Sequence, residues 1–416
     1  MTTIIEIAFW VSIFFVFYTY FGYPLLMNVF IRIPLMKYII KMPEGFGRVL
    51  INPKIGGYAA YKDISVDKNF KPQVSIIITA YNEEDYLEKK IKNCLELIYP
   101  TDKIEFLFIT DGSTDNSNSI IDKHQTDNLR YLFFPQRRGK LHAMKRGVEF
   151  SKGEILIFSD ANAIYNPDAV RKIVRHFAHS KVGCVAGEKR VSKHDGSLPS
   201  EGLYWKYESF IKSLDSELYS VVGAAGEIFA VRKDLFPEIP EDSIIEDFVI
   251  SLKISIKGFR VVYEPEAYSI ETPPRTFVDD FKRRVRISKG GIQSIKYFNK
   301  LLRLRDHKFL SFQFISHRVL RWAIAPICLL LAFVSNYLLI EAETKFIYSE
   351  LFAAQLIFYA VGFIGLIHEF LKLKISGINL IFSFTLMNLA ALIALFSYPF
   401  SRSSNIWEKT QREIAI

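Results

Sequence analysis

Long uncharged runs frame a chain whose middle alternates short apolar runs with helically spaced ones. Residues 7–31 carry no charge, and neither do 322–340, 351–367 and 375–401. About 20 apolar residues suffice to cross a bilayer, so these runs predict four membrane helices, the third lengthened if it begins at Phe346. The first run is too long for a cleaved leader and has no cationic segment before it. The last exceeds the length of ordinary core helices.

The middle follows other periods. QVSIIITA (73–80), IEFLFIT (104–110), RYLFF (130–134) and EILIFSD (154–160) are compact apolar runs, as buried parallel strands are. Between them, EEDYLEKKIKNCLEL (83–97) puts Leu87, Ile91, Cys94 and Leu95 on one helical face. Helices are also expected over DNSNSIIDKH, with Asp115 as its cap, and over 140–150. Strand–helix alternation predicts an α/β domain with a doubly wound, mostly parallel sheet, whose ligands bind outside the C-terminal strand ends. The expected division is a membrane helix over 1–35, a Gly-, Pro- and Lys-rich linker over 36–71, the α/β domain over 72–290, an interfacial amphipathic segment over 291–317, membrane helices over 318–401, and a tail over 402–416.

Charge sets the orientation. The formal net charge is +9, and the excess lies beside the apolar runs, which points to lipid headgroups and nucleotide phosphate as partners rather than nucleic acid. Arg32, Lys37, Lys41, Arg48 and Lys54 follow the first run and nothing basic precedes it, so the N-terminus is expected outside and the central domain in the cytosol. Four spans would leave the tail outside, while Arg402, Lys409 and Arg412 in it favour the inside. Cys94, Cys184 and Cys328 form no CxxC pair, which disfavours structural zinc or a disulfide framework.

The residues leaving the strand ends are those able to carry chemistry. Asp160 and Asn162 in SDAN offer two oxygen donors to a hard divalent cation such as Mg2+ or Mn2+, although such a pair also serves in plain turns. Asp111 and Asp115 in DGSTDNS either accept hydrogen bonds from a base or ribose, or cap a turn. Glu246 and Asp247 open an amphipathic helix, where acidic residues suit the helix dipole and also suit a general base. FKRRVRISKGG (281–291) is either a membrane-surface anchor or a diphosphate clamp, with Arg283 and Arg286 on one face. The segment 201–218 mixes Trp205 with other aromatic and apolar residues, as an interface helix near an acceptor would.

The order TAYNEE, DGSTDNS, RRGKLHAM, FSDAN, IIEDF and RRVRISKG resembles that of family 2 glycosyltransferases with the GT-A fold. The membrane frame, with YTYFGYPLL in the first run and IWEKTQR in the tail, resembles the cellulose-synthase and hyaluronan-synthase-like branch, and within it the bacterial exopolysaccharide enzymes. The resemblance implies that Ala80, Tyr81 and Glu83 line a nucleoside pocket and Asp111 contacts the base. It implies that Lys140 approaches the nucleotide, that Asp160 with Asn162 binds the metal and diphosphate, and that Arg283 and Arg286 hold the diphosphate. Asp247 is then the base, with Glu246 and Trp205 on the acceptor side.

Implied with these roles is single-displacement, inverting transfer from a nucleotide-sugar donor to a lipid-linked or growing glycan acceptor, at a bacterial inner membrane. Two departures matter. The metal motif ends in Asn162 where the family usually has Asp. The Gln-x-x-Arg-Trp motif of processive synthases is replaced by Arg283-Arg284-Val285-Arg286-Ile287. Alternatives at this point are a processive synthase with a secretion channel, a polyprenyl-phosphate sugar synthase, and a non-catalytic nucleotide-binding subunit of an export assembly.

Overall fold

The structure is a computed structural model that describes residues 2–33, 48–51, 59–62, 70–191, 202–274, 276–342, 345–370 and 378–400. The tail motif IWEKTQR lies outside the described residues. The chain divides into two compact units: 1–30, 201–205 and 276–402 form one, and 31–200, 206–275 and 403–416 the other.

The first unit is helical. Four helices are long and apolar enough to cross a membrane: Thr2–Arg32, Leu304–Glu341, Phe346–Ile367 and Leu380–Phe400. Most of the side chains in them lie unburied. Phe9 packs with Ala332, Leu339 and Tyr348 where the first helix meets the second and third. With little apolar driving force between helices in lipid, polar pairs add specificity: the Tyr20 hydroxyl donates to Asn388 Oδ1 at 2.9 Å, and Trp10 Nε1 donates to the Tyr348 hydroxyl at 3.3 Å. Helix Phe277–Tyr297 belongs to this unit and runs through the boundary expected at 290.

The second unit is built on a sheet. A short hairpin pairs β1 (Arg48–Ile51) with β2 (Ala59–Lys62). The main sheet comprises β3 (Val74–Ala80), β4 (Ile104–Asp111), β5 (Leu129–Phe134), β6 (Ile155–Asp160), β7 (Ile164–Tyr165), β8 (Val182–Val191), β9 (Ile228–Arg232) and β10 (Arg260–Glu271), in the order β5-β4-β3-β6-β9-β8-β10-β7. The helices of this unit are α1 (Glu84–Leu95), α2 (Ser117–Asp122), α3 (Lys140–Phe150), α4 (Ala169–Val174), α5 (Gly202–Leu218), whose first turn falls in the other unit, and α6 (Glu246–Ile256).

Strands β3, β4 and β6 are covered on both faces. Leu87, Ile91 and Cys94 of α1 pack with Ile76, Ile78 and Phe106 on one side. On the other, Gly147 of α3 sits so close that an added Cβ would lie 2.4 Å from Ile77. That double cover is why these strands read as unbroken apolar runs.

The sheet is mostly parallel, as expected, with two reversed strands. β3, β4, β5 and β6 run parallel and β8 pairs parallel with β10, while β9 runs antiparallel to both β6 and β8, and β7 antiparallel to β10. Insertion of β9 brings the loop before it to the C-terminal edge of β6, where the chemistry-bearing residues lie. Of the segment 201–218, Gly202–Leu218 forms a helix, yet Ser209, Ile211, Ser213, Leu214, Asp215, Ser216 and Leu218 of α5 are all buried. From Lys206 onward it packs as part of the domain core rather than as the expected interface helix.

Candidate active site

Every strand-end segment expected to carry chemistry does leave the same edge of the sheet: Asp111 ends β4, Asp160 ends β6, and Ala80 ends β3. Two loops form one side of the site. Asn82, at φ 54°, turns the chain from β3 into α1; Asn tolerates this left-handed conformation better than most residues. Its N–H donates to Ser113 Oγ at 3.1 Å and its Oδ1 accepts from Thr114 N at 2.8 Å. Glu83 N donates to Ser117 Oγ, and Glu84 Oε2 accepts from Asn116 N. Asp115 accepts from Ser117 N at 3.0 Å, as expected of a cap, although Asn116 stands at the cap position itself.

Asp111 is buried and engaged on both oxygens. Oδ2 accepts from Arg138 N at 2.8 Å and Gly139 N at 2.6 Å, and Oδ1 meets Arg146 Nη1 at 3.1 Å. It therefore anchors the turn that leads into α3. Gly139, at φ 96°, lets that turn present its N–H to the carboxylate. Arg137 lies 3.6 Å over the Tyr81 ring centroid, a flat guanidinium–aromatic wall of the kind that flanks a base.

The other side is a charge cluster. Lys140 is the first residue of α3; its Nζ lies 2.5 Å from Asp160 Oδ1 and 3.4 Å from Glu246 Oε1. Asp247, next to Glu246 in the first turn of α6, faces Gly226: an added Cβ there would lie 3.2 Å from Asp247 Oδ2 and 3.5 Å from Lys140 Nζ. A methyl there would press on the Asp247 carboxylate and touch the Lys140 ammonium, so glycine leaves both groups undisturbed. Behind the cluster, Lys189 on β8 bridges Glu227, just before β9, and Glu271 at the end of β10, the latter at 2.7 Å. Lys90 of α1 lies beneath the Asp160–Ala163 turn.

The ionisation states follow from this packing. Asp247 is pushed up to about 7 by burial and by the Glu246 charge, with Glu227 adding to the shift and Lys140 opposing it. Asp160 is raised as well, because burial and the charges of Glu271 and Glu227 outweigh the Lys140 ammonium. Lys140 itself is raised; burial opposes its charge, but Asp160 and Glu246 more than offset that.

A divalent cation fits the chemistry of this edge. Among the described residues, five carboxylates (Asp160, Glu227, Glu246, Asp247, Glu271) face three lysines (Lys90, Lys140, Lys189), which leaves two negative charges in excess when all are ionised. Yet among the described residues no three His, Cys, Asp or Glu side chains converge on one point. That suits an ion held by one or two protein oxygens with the rest from a diphosphate, as Mg2+ commonly is. Asn162 is buried two residues beyond Asp160, in the same turn.

The structure thus brings Ala80, Tyr81, Glu83, Asp111, Lys140, Asp160, Asn162, Glu246 and Asp247 into one unit. Arg283 and Arg286 lie on Phe277–Tyr297 of the other unit, and Trp205 falls in the first turn of α5, which that unit also includes. Sequence reasoning missed Glu227, Lys189, Glu271, Lys90 and Arg137. Of these, Arg137 stood in the quoted motif RRGKLHAM, and Lys90 left a signal as a lysine among Leu87, Ile91 and Cys94 on the apolar face of its helix.

An α/β sheet of this order, with acidic residues at the β6 end, defines a GT-A fold. Residues 75–239 match Glycosyl transferase family 2, and the chain carries a domain of that family. It is similar to the poly-beta-1,6-N-acetyl-D-glucosamine synthase of Staphylococcus aureus strain MSSA476, at 29% identity over 55% of this chain and 56% of that protein. The chain thus matches about half the length of these curated relatives. To the synthase of the same name from Staphylococcus epidermidis it is 23% identical, over 91% of this chain and 88% of that one. The solved mannosyltransferase PcManGT of Pyrobaculum calidifontis, in complex with GDP-Man and Mn2+, shares the fold with a TM-score of 0.67 at 21% identity, covering 96% of this chain and 99% of that one.

Proposed function

We propose that this protein is an inverting glycosyltransferase that works at the cytosolic face of a bacterial inner membrane. It moves a sugar from a nucleotide-sugar donor to a lipid-linked or growing glycan acceptor in exopolysaccharide synthesis. The observation that carries the reading is the Lys140 ammonium set between Asp160 and Glu246, with Asp247 beside them at neutral-range pKa. One edge thus holds a cationic group and metal-competent oxygens for a departing diphosphate, and a carboxylate able to take a proton at neutral pH.

In this reading the acceptor oxygen attacks the anomeric carbon as the bond to the diphosphate oxygen breaks. The diphosphate leaves with the electron pair, and Asp247 takes the acceptor's proton. Bound Mg2+ or Mn2+, held by Asp160 and Asn162, would supply positive charge to the leaving group. Lys140 adds to that charge, and Arg283 and Arg286 are proposed to do so from their helix. Tyr81 and Arg137 flank the base, Ala80 and Glu83 border it, and Asp111 orders the wall. A base contact from Asp111 requires one of its N–H bonds to Arg138 or Gly139 to give way. Trp205 and Glu246 are proposed for the acceptor side.

A second reading, processive polymerisation, is favoured by the synthase names of the relatives; Ile287 in place of the processive motif's tryptophan argues for one or a few transfers per encounter. The purified protein in lipid nanodiscs, given a panel of radiolabelled sugar nucleotides with lipid extract, is expected to transfer label from one donor. Chelation of divalent metal, or Asp160→Ala, is expected to remove that transfer. Full transfer after exhaustive chelation would overturn the metal role, and absence of transfer from every donor would overturn the activity. Product length in the same assay separates the two readings.

A further inference from the structure

Lys90 is a buried lysine in the middle of α1, 1% exposed. Asp160 and Glu271 act on it only through their charges; among the described residues no carboxylate forms a direct ion pair with it. Desolvating an amine without an ion pair is costly, so its position asks for a reason. Its Nζ donates to Ser159 Oγ at 2.8 Å and to Ala163 O at 2.6 Å, and lies 4.1 Å from the Tyr165 ring centroid. Ser159 precedes Asp160, and Ala163 follows Asn162. The lysine head therefore brackets the turn that carries both oxygen donors, a turn closed by the Ala163 N–H to Asp160 O bond at 3.2 Å.

Three residues along α1, Asn93 completes the grip. Its Nδ2 donates to Tyr165 O at 2.8 Å, and its Oδ1 accepts from Tyr165 N at 2.9 Å. The Tyr165 hydroxyl in turn donates to Phe158 O and Glu227 O, at 2.9 and 3.1 Å. The segment from Phe158 to Tyr165 is thus tied on both sides of Asp160. The other end of α1 is fixed to the base-side loop, through Glu84 N to Asp115 Oδ2 and Asn116 N to Glu84 Oε2. One helix thereby spans from the loop that borders the base to the turn that bears Asp160.

We propose that Lys90, with Asn93, is a positioning residue: it holds the Asp160–Asn162 turn from beneath so that its oxygens are preset for a divalent cation and diphosphate. The proposal rests on the reading that Asp160 binds the metal. Groups that orient metal ligands commonly matter about 10–100-fold in metal affinity or activity.

The full chain in detergent, titrated with Mn2+ in the presence of a panel of nucleoside diphosphates and followed by the electron paramagnetic resonance of free Mn2+, tests it. Lys90→Met keeps the length and apolar stem of the side chain and removes its two donated bonds. It is expected to weaken Mn2+ binding about tenfold or more while the melting temperature stays near that of the unsubstituted protein. Leu87→Ala, on the same helix but pointing at the core, is the comparison: the melting temperature should fall while the folded protein keeps its Mn2+ affinity. Unchanged Mn2+ binding in Lys90→Met, or a loss that merely follows its melting temperature as in Leu87→Ala, overturns the positioning role. Asp160→Ala separates the two layers. If it abolishes Mn2+ binding while Lys90→Met does not, only the inference about Lys90 fails; if it leaves Mn2+ binding intact, the metal reading of Asp160 fails.

Discussion

Asp247→Asn is expected to abolish sugar transfer while nucleotide binding stays close to that of the unsubstituted protein. General bases contribute about 10²–10⁴-fold, and an amide of the same shape keeps the contacts but takes no proton. Because burial and the Glu246 charge push Asp247 up to about 7, kcat/KM of the unsubstituted enzyme should rise with pH through an acid limb centred near 7. A second consequence concerns stability. The folded-state pKa lies above the ordinary value of 3.8, so the folded protein holds this proton more tightly than the unfolded chain does. The carboxyl carries no ionisation penalty below 3.8, gains one as pH rises from about 4 to about 7, and carries it in full above. Asp247→Asn should therefore melt at a higher temperature than the unsubstituted protein at pH 8, with the gap narrowing toward pH 5. Transfer within a few-fold of the unsubstituted rate would remove Asp247 from the chemistry.

The second large effect is expected at Lys140. Its ammonium bridges Asp160 and Glu246 and lies 3.5 Å from where a Gly226 Cβ would stand. Lys140→Met removes the cation from a surplus of carboxylates. Loss of one preorganised group at a developing charge costs about 10²–10³ in kcat, and a fall in kcat/KM of that order is expected. The shift in pH dependence is the sharper mark. Lys140 lowers the Asp247 pKa, and Glu246 raises it. Lys140→Met should move the acid limb above 7, and Glu246→Gln should move it below. Limbs that move together, or not at all, would show that the cluster does not set the base's ionisation.

Much of this was legible in the chain. The four uncharged runs announced themselves by length alone, since a bilayer imposes a fixed span. The runs around Ile76, Phe106 and Ile157 read correctly as strands because cover on both faces demands unbroken apolar residues. Asp111 and Asp160 were placed by the rule that ligands meet parallel sheets at their C-terminal ends, and the order of motifs gave the glycosyltransferase family. The mostly parallel pattern held, with β9 as an exception inside it. A strand's direction depends on which edges are free when the chain returns, and nothing in IFAVR encodes that β6 and β8 would flank it antiparallel.

That reversal is what brings Glu227 beside Lys189 and Glu271, three residues distant in sequence and silent in pattern. Lys90 stood visibly on an apolar face, and only folding shows that the face rests under the turn bearing Asp160. The sequence alone determined the four runs long and apolar enough to cross a membrane, the strand–helix order and the family, because local periodicity and motif spacing are short-range properties. The tertiary structure alone decided the ionisation of Asp247, the partners of Asp111 and the grip of Lys90, because burial, charge proximity and hydrogen bonding depend on which distant segments the fold places within a few ångströms.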